Sequence, residues 1–394
     1  MENPYTPDFG AVPGRLVGRE GFATAFTSLL DGLDRGHPRQ SQIITGLRGM
    51  GKTALLREFA KSARVRRWAV VDTAAARRDD LGFRRQFTFE FRSALLSLSP
   101  RTRWGDKTKA AAGVLGSFAS TLGVDSPLTD RWDFPTPSSA DTGDLSADVT
   151  ATLLALGEAA QESGTGVVFV VDEIHRLTVG QLAALVDGLH RTYLRELPIT
   201  LVGAGIPRSD ALPPETQVRA NRLFDFADLG PLSESDVAAL LRTGQEWDDD
   251  AIASAFDRTR GVPAFVHALG HVLWEKSRGA TVTPQDLASA SVAFEDKVDK
   301  SFFGSMLSRA TELELSYLRA VVDATEETET ARLLERTAHQ CAHTRTDLVE
   351  KGLLYLRPGG TAAFTAPAAA EYLLRVMPTV TAPARKPRRR RYDP

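Results

Sequence analysis

Cysteine is almost absent from this sequence. One residue of 394, Cys341, carries a thiol, which excludes an intramolecular disulfide framework and any multi-cysteine zinc site and fits a reducing compartment. An excess of charge of one sign is also missing: 48 Lys and Arg stand against 50 Asp and Glu. Nothing about the whole molecule demands a polyanionic partner, so any nucleic-acid surface has to be local. No run approaches the ~20 apolar residues that a membrane span requires. The opening MENPYTPDFGAVPGRL lacks a basic stretch followed by an apolar one, so no signal peptide is expected and a cytoplasmic location is the default. No internal repeat is evident. What remains is a globular composition, 42% hydrophobic and 25% charged, in a chain too long for one ordinary core. Two or three domains are expected.

The segment ITGLRGMGKTALL, Ile44 to Leu56, fits G-x-x-x-x-G-K-[ST] from Gly46 to Thr53, the Walker A pattern. Its flanks matter more than its letters. Gln42 to Thr45 reads as a short buried strand, and Ala54, Leu55, Leu56, Phe59 and Ala63 give one apolar face at helical spacing. Strand, glycine loop and helix is the setting that phosphate binding needs. Backbone N–H groups of Gly49 to Lys52 would wrap a β-phosphate, aided by the positive end of the helix dipole. Lys52 would neutralise β- and γ-oxygens, and the Thr53 hydroxyl would ligate Mg²⁺.

Short apolar runs alternate with helical patterns through the first 230 residues: Ile43–Thr45, Trp68–Asp72, Val167–Val171, Ile199–Gly203 and Leu223–Phe226. Such strands separated by helices predict a parallel sheet covered on both faces. Between the second and third strands, FEFRSALLSL reads as helix. GVDSPLTDRWDFPTPSSADTGDLS, rich in Pro, Ser, Asp and Gly, reads as loop. From Leu232 the strand signals stop. Ser233 with Asp236 three positions on resembles a capping box, and helices are expected over Asp249–Arg260, Pro263–Lys276 and Pro284–Phe294. Further helices near Leu313–Val322, Glu329–Arg336 and Gln340–Lys351 precede two short strands around an Arg357–Thr361 turn, the order of a winged helix-turn-helix. The expected units are an α/β P-loop domain over 1–230, a small helical domain over 231–300, which the resemblance described below implies is a lid, a winged helix over 301–378 and a basic tail over 379–394.

VVFVVDEIHRL places Asp172 and Glu173 at the C-terminal end of a very apolar strand, where open α/β sheets collect their ligands. An Asp there can hold Mg²⁺ and a neighbouring Glu can act as general base toward water. Two carboxylates after an apolar strand also occur as plain strand-end solvation. The upstream glycine loop favours the catalytic reading, a Walker B signature. DEIH also fits a helicase box, but no second RecA-like half follows. His175 is expected to begin the next helix and to face solvent or substrate. The next strand ends Gly203-Ala204-Gly205, where many such ATPases carry a polar residue that senses the γ-phosphate. Thr200 lies at the wrong end of that strand. Hydrolysis is therefore expected to be slow or stimulated by a partner.

LVGRE at Leu16–Glu20, the Walker A segment, DEIH, GAG, RLFDFADLGPLS and GVPAF follow one another in an order that resembles the initiator branch of the AAA+ ATPases, the origin-recognition relatives, with overlap toward STAND-class signalling ATPases. The resemblance covers about Pro13 to Met377. It implies ATP with Mg²⁺ as cofactor, exchanged for ADP. It implies that Val17, Gly18 and Arg19 pack against adenine and that Gly261-x-Pro263 lies near base and ribose. The nucleotide-binding set is then Val17, Gly18, Arg19, Gly46, Arg48, Gly49, Met50, Gly51, Lys52, Thr53, Ala54 and Pro263. Thr53 and Asp172 are the Mg²⁺ ligands, and Glu173 and Lys52 the catalytic pair. Where an initiator lid carries a sensor arginine, this chain has GVPAFVHALG, nearer to the STAND pattern. Arg219 and Arg222, just before the last strand, stand where an arginine acting in trans would lie. They read equally well as surface arginines.

A winged helix of this kind binds DNA or packs against protein. QCAHTRTDLVEKG is the candidate recognition helix, with Gln340, His343, Thr344 and Arg345 able to reach bases or phosphates. One fixed cation is a thin footprint for double-stranded DNA. Arg385, Lys386 and Arg388, Arg389, Arg390, Arg391 in the tail add charge without sequence information. Two functions follow: a DNA-associated ATPase whose nucleotide state controls assembly, or a signalling switch that acts on protein partners without nucleic acid; self-association is open to both.

Overall fold

The structure is a computed structural model, and it describes residues 3–6, 14, 16–76, 78–98, 103–122, 140–207, 213–276, 281–324, 326–357 and 359–381. Five strands, β1 (Ser41–Thr45), β2 (Ala69–Ala74), β3 (Val167–Asp172), β4 (Ile199–Gly205) and β5 (Phe224–Asp228), form one parallel sheet in the order β2-β3-β4-β1-β5. The continuous burial of β3 and β4 has a simple cause: both their faces are covered. Val168 and Val170 of β3 enter one core, while Val167, Phe169 and Val171 enter the other, as the two-residue side-chain period requires.

On the first face lie α1 (Glu20–Asp34) and α2 (Lys52–Val65). Leu55, Phe59 and Ala63 of α2 are fully or nearly fully buried, and Phe59 stacks on Phe26 with centroids 4.4 Å apart. Burial of such a phenylalanine contributes about 1.5–3 kcal/mol. This anchors α2 so that its N-terminus points at the end of the sheet. The second face carries α3 (Asp80–Leu98), α4 (Asp106–Ser120), α5 (Leu145–Glu162), α6 (Val179–Leu194) and α7 (Pro214–Leu223). Two of these depart from the sequence reading. α4 lies where the sequence reading names no element, although its Val114, Leu115 and Phe118 are buried in this core, and α5 begins inside the expected loop. Asp144 starts α5 by accepting from the Ala147 N–H, and Arg84 of α3 pairs with the buried Asp148 at 2.8 Å. Residues 123–139 of the expected loop lie outside the described residues.

Four helices follow the sheet: α8 (Glu234–Leu241), α9 (Asp249–Thr259), α10 (Pro263–Lys276) and α11 (Pro284–Val298). Ser233 and Asp236 cap α8 reciprocally, and Thr283 and Asp286 do so for α11. The core of these helices is continuous with that of α1, α2 and the sheet face. Tyr5 from the N-terminal segment inserts into it and donates to the Leu241 carbonyl. α11 does not stop at a loop. It continues through π-type turns at Asp299–Gly304 into α12 (Ser305–Leu307), so residue 300 lies inside one helical run.

Then come α13 (Glu312–Asp323), α14 (Glu327–Leu333), α15 (Ala338–Glu350), an antiparallel hairpin of β6 (Leu354–Leu356) and β7 (Ala362–Phe364), and α16 (Ala369–Val376). Three helices and a hairpin match the element order read from the sequence. Their own small core is built on Tyr317, Leu318, Leu348, Leu354 and Leu373. An aromatic relay joins it to the preceding helices: Phe265 meets Phe302 at 5.1 Å, Phe302 meets Phe303 at 5.0 Å, and Phe303 stacks on Tyr372 at 4.4 Å.

Candidate functional site

The glycine loop leaves β1 at Gly46 and enters α2 at Lys52, with Gly51 at the N-cap. The first amides of α2 have no earlier carbonyl to bond and face the loop. Lys52 is 8% exposed. Its ammonium donates to the carbonyls of Gly46 and Leu47 at 2.7 and 2.8 Å, closing the loop over the place its phosphates would take. Burial is the main cause that pulls its pKa down to about 8, opposed by Glu173, Asp172 and Asp228.

β3 delivers Asp172 to the same end of the sheet. Thr53 Oγ1 donates to Asp172 Oδ2 at 2.6 Å, across 119 residues of sequence. A hydroxyl and a carboxylate side by side form the oxygen donor set that Mg²⁺ takes when phosphates and waters complete its octahedron, so these residues fit the ion. Glu173 follows in the left-handed region, φ 54° and ψ 35°, and its N–H donates to Asp172 Oδ1 at 2.8 Å. A non-glycine residue held there costs about 1–3 kcal/mol. The conformation turns its carboxylate into the cleft lined by Arg48 to Ala54.

His175 departs from the sequence reading. It lies in a short 3-10 turn, Ile174–Arg176, and its side chain is 8% exposed, so it faces neither solvent nor substrate. The kink at Glu173 turns it inward: Nδ1 accepts from the Ile206 N–H at 3.4 Å, and Nε2 lies 3.3 Å from Glu173 Oε2.

The far end of the cleft is lined by Leu16, Val17, Arg19, Pro263, His267 and Phe302. Arg19 reaches back to the Gly230 carbonyl at 2.6 Å, tying the entry segment to the end of the sheet domain. Gly18 packs against Asp236. Gly261 behaves differently from expectation. Its φ is +67° and a Cβ there would sit 2.2 Å from the Leu232 carbonyl, so its close approach is to the chain itself, while Pro263 lines the cleft. The loop and α10 touch directly through Ala264 N–H and the Gly49 carbonyl at 3.2 Å.

His267 was not singled out from the sequence. It sits one turn after Pro263 on α10, so the i+4 spacing carried the signal. Burial pulls its pKa down to about 4, and Nδ1 accepts from the Thr6 N–H at 3.3 Å. A neutral ring accepting at Nδ1 carries its proton on Nε2.

Outside the cleft, Arg219 is engaged by Asp187 at 2.6 Å and Glu215 at 3.6 Å, while Arg222 is exposed at the end of α7. Arg345 on α15 is held by Glu327 at 2.5 Å and is largely covered. Its charge is therefore answered within the chain and not presented outward. Arg388, Arg389, Arg390 and Arg391 lie outside the described residues. Among the described residues, no helix is long and apolar enough to cross a membrane.

A parallel sheet with a glycine loop after β1 and a carboxylate pair after β3 defines a P-loop NTPase fold. Residues 15–202 match the family model described as AAA ATPase domain. Residues 300–373 match a domain of unknown function, DUF8462. No curated protein matches the chain. It is similar to the solved ORC2 protein of Aeropyrum pernix in ADPNP and ADP complexes, at 15% identity and TM-score 0.46, over 94% of this chain and 95% of that one. The Aeropyrum pernix ORC1 protein in complex with DNA is similar at 18% identity and TM-score 0.43, over 93% and 94%. The Thermotoga maritima RuvB Holliday junction branch migration motor follows at 15% and 0.44, over 91% and 95%. These likenesses describe arrangement only.

Proposed function

We propose that the chain is an ATP-binding ATPase of the AAA+ type whose nucleotide state sets the arrangement of its helical lid, residues 231–300, and its winged-helix unit, residues 301–378. One observation carries this reading: Lys52, Thr53, Asp172 and Glu173 converge from two distant loops on one end of the sheet. ATP gives Lys52 better acceptors than the two loop carbonyls it now holds, because charge-assisted bonds are stronger than neutral ones. Thr53 and Asp172 would hold Mg²⁺, which would supply charge neutralisation toward the terminal phosphates. Glu173 takes a proton from water as its oxygen bonds to the γ-phosphorus and the bond to the ADP oxygen breaks. Val17, Gly18 and Arg19 on one side and Pro263 on the other enclose the base. The β4 end Gly203–Gly205 brings no polar side chain, which supports slow turnover until an arginine such as Arg219 or Arg222 of another copy completes the site.

In this reading the basic tail, residues 379–394, holds duplex DNA through Arg388 to Arg391. The Arg345–Glu327 pair favours a second reading, in which α15 meets a protein partner and the protein is a signalling switch. ATP turnover with and without duplex DNA, in the full chain and in one lacking the residues after Met377, tests both. Turnover stimulated by DNA only when the tail is present supports the first. Turnover indifferent to DNA, with an oligomeric state that follows the nucleotide, supports the second. Absence of ATP binding overturns both.

A further inference from the structure

Arg48 is the third residue of the glycine loop, and it is bonded to the far end of the chain. Its N–H donates to the Thr365 carbonyl at 2.7 Å, and its Nε donates to the Gly352 carbonyl at 3.2 Å. Gly352 has φ +67°, and a Cβ there would sit 2.9 Å from Arg48 Nη2. The guanidinium is thus seated on the turn between α15 and β6. Its other neighbours are Glu173 and Asp172, which stabilise its charge against the burial that lowers its pKa. Arg48 and Glu173 line the same cleft as Lys52 and Thr53.

That end of the cleft is where a terminal phosphate and its attacking water meet, because Glu173 is there. β4 ends Gly203-Ala204-Gly205 without a polar side chain, and α10 opens Pro263-Ala264-Phe265 without a cation. Arg19, the other arginine lining the cleft, is held by the Gly230 carbonyl at 2.6 Å and by the Met50 carbonyl at 3.4 Å.

We propose that Arg48 reads the terminal phosphate of ATP within its own chain, exchanging its bond to the Gly352 carbonyl for one to a γ-phosphate oxygen. The inference rests on the ATPase reading above. A guanidinium gains by the exchange, since a phosphate oxygen is charged and the carbonyl is not. ADP has no oxygen at that place, so with ADP the side chain stays on Gly352. A buried guanidinium needs an acceptor in either state, so the two contacts are alternatives. Release removes one of the two donors on the Gly352 carbonyl, the other being the Thr365 hydroxyl at 2.7 Å, and so loosens the turn ahead of β6, which links to β7 through Thr365 N–H and the Leu353 carbonyl at 3.2 Å.

ATP and ADP affinities of the full chain, wild type and Arg48→Ala, test this. The variant should lose about tenfold or more in ATP affinity, since a hydrogen bond to a charged group is worth about 1.5–3 kcal/mol, while ADP affinity stays within about twofold. Arg48→Gln keeps a donor for the Gly352 carbonyl, so it guards against misfolding and should show the same split. Amide exchange at residues 352–366 should be faster with a non-hydrolysable ATP analogue than with ADP in the wild type, and equal in both variants. Equal losses of ATP and ADP affinity, or none, in variants that fold would overturn the assignment to Arg48 alone. A wild type that binds neither nucleotide would instead remove the ATPase reading beneath it.

Discussion

The hydroxyl of Thr53 and the carboxylate of Asp172 lie 2.6 Å apart, one on the first turn of α2 and the other at the last residue of β3. Neither needs the other for the fold, because each element has its own buried face. Their meeting is a property of the site. With Asp172→Asn the oxygen set loses its charge, and Mg²⁺ should no longer strengthen ATP binding. Titrating ATP at several Mg²⁺ concentrations checks this, and a variant with undiminished Mg²⁺ dependence would reassign Asp172 to strand-end solvation.

Glu173→Gln should leave ATP binding within about twofold and slow turnover by about 10²–10⁴, the usual contribution of a general base. Single-turnover hydrolysis measures the chemical step directly. The side chain keeps its shape, so a rate equal to wild type would show that another group takes the proton.

Lys52 has an unusual pH signature. Its value of about 8 in the folded chain lies below the ordinary 10.5. Between those values the folded protein binds fewer protons than the unfolded one, and stability rises with pH. ATP needs the ammonium, so its affinity should fall about tenfold per pH unit above about 8, following the protonated fraction. Lys52→Ala should bind ATP weakly with a flat profile. Dissociation constants from pH 7 to 9.5 decide the matter.

The sequence made the sheet and the phosphate end of the cleft legible because both rest on local pattern. Val167 to Val171 is short, β-branched and apolar throughout, as a strand covered on both sides is, and Gly46 to Thr53 has strand and helix patterns on its two flanks. The base end was less legible. His267 owes its place to Thr6, 261 residues away in sequence, and periodicity carries no information about such a pairing. His175 misled because a left-handed Glu173 cannot be read from residue types, and that one dihedral reverses which way the next side chains face. Arg345 reads from the sequence as able to reach bases or phosphates, but its partner Glu327 sits on α14, and only the packing of α14 against α15 brings the two together.

His267 supplies an acid-sensitive element. Its folded value of about 4 lies below the ordinary 6.5, so its contribution to stability is present above pH 6.5 and is lost as pH falls toward 4. The loss amounts to about 3 kcal/mol at pH 4. His267→Gln should flatten that limb of the stability profile. Thermal or urea unfolding at pH 4 to 7 measures it.

Nucleotide that touches both Val17 and Pro263 should tie the sheet to the helices that follow it. Cleavage by a protease at residues 230–233 should slow when a non-hydrolysable ATP analogue is present. Residue 300 should resist in both states, because it lies inside a helix. Equal rates at 230–233 with and without saturating analogue would point to a rigid body.

The helical run from Pro284 to Leu307 behaves as a lever arm. At about 1.5 Å per residue it is on the order of 35 Å long. A tilt of about 10° at its lid end would then sweep the other end through about 6 Å, roughly twice the length of a hydrogen bond. Under the proposed function, a lid movement of even this size would exceed what the bonds from Arg48 to the Gly352 and Thr365 carbonyls can span. A small angle at the lid would then part the winged-helix unit from the phosphate loop in one step.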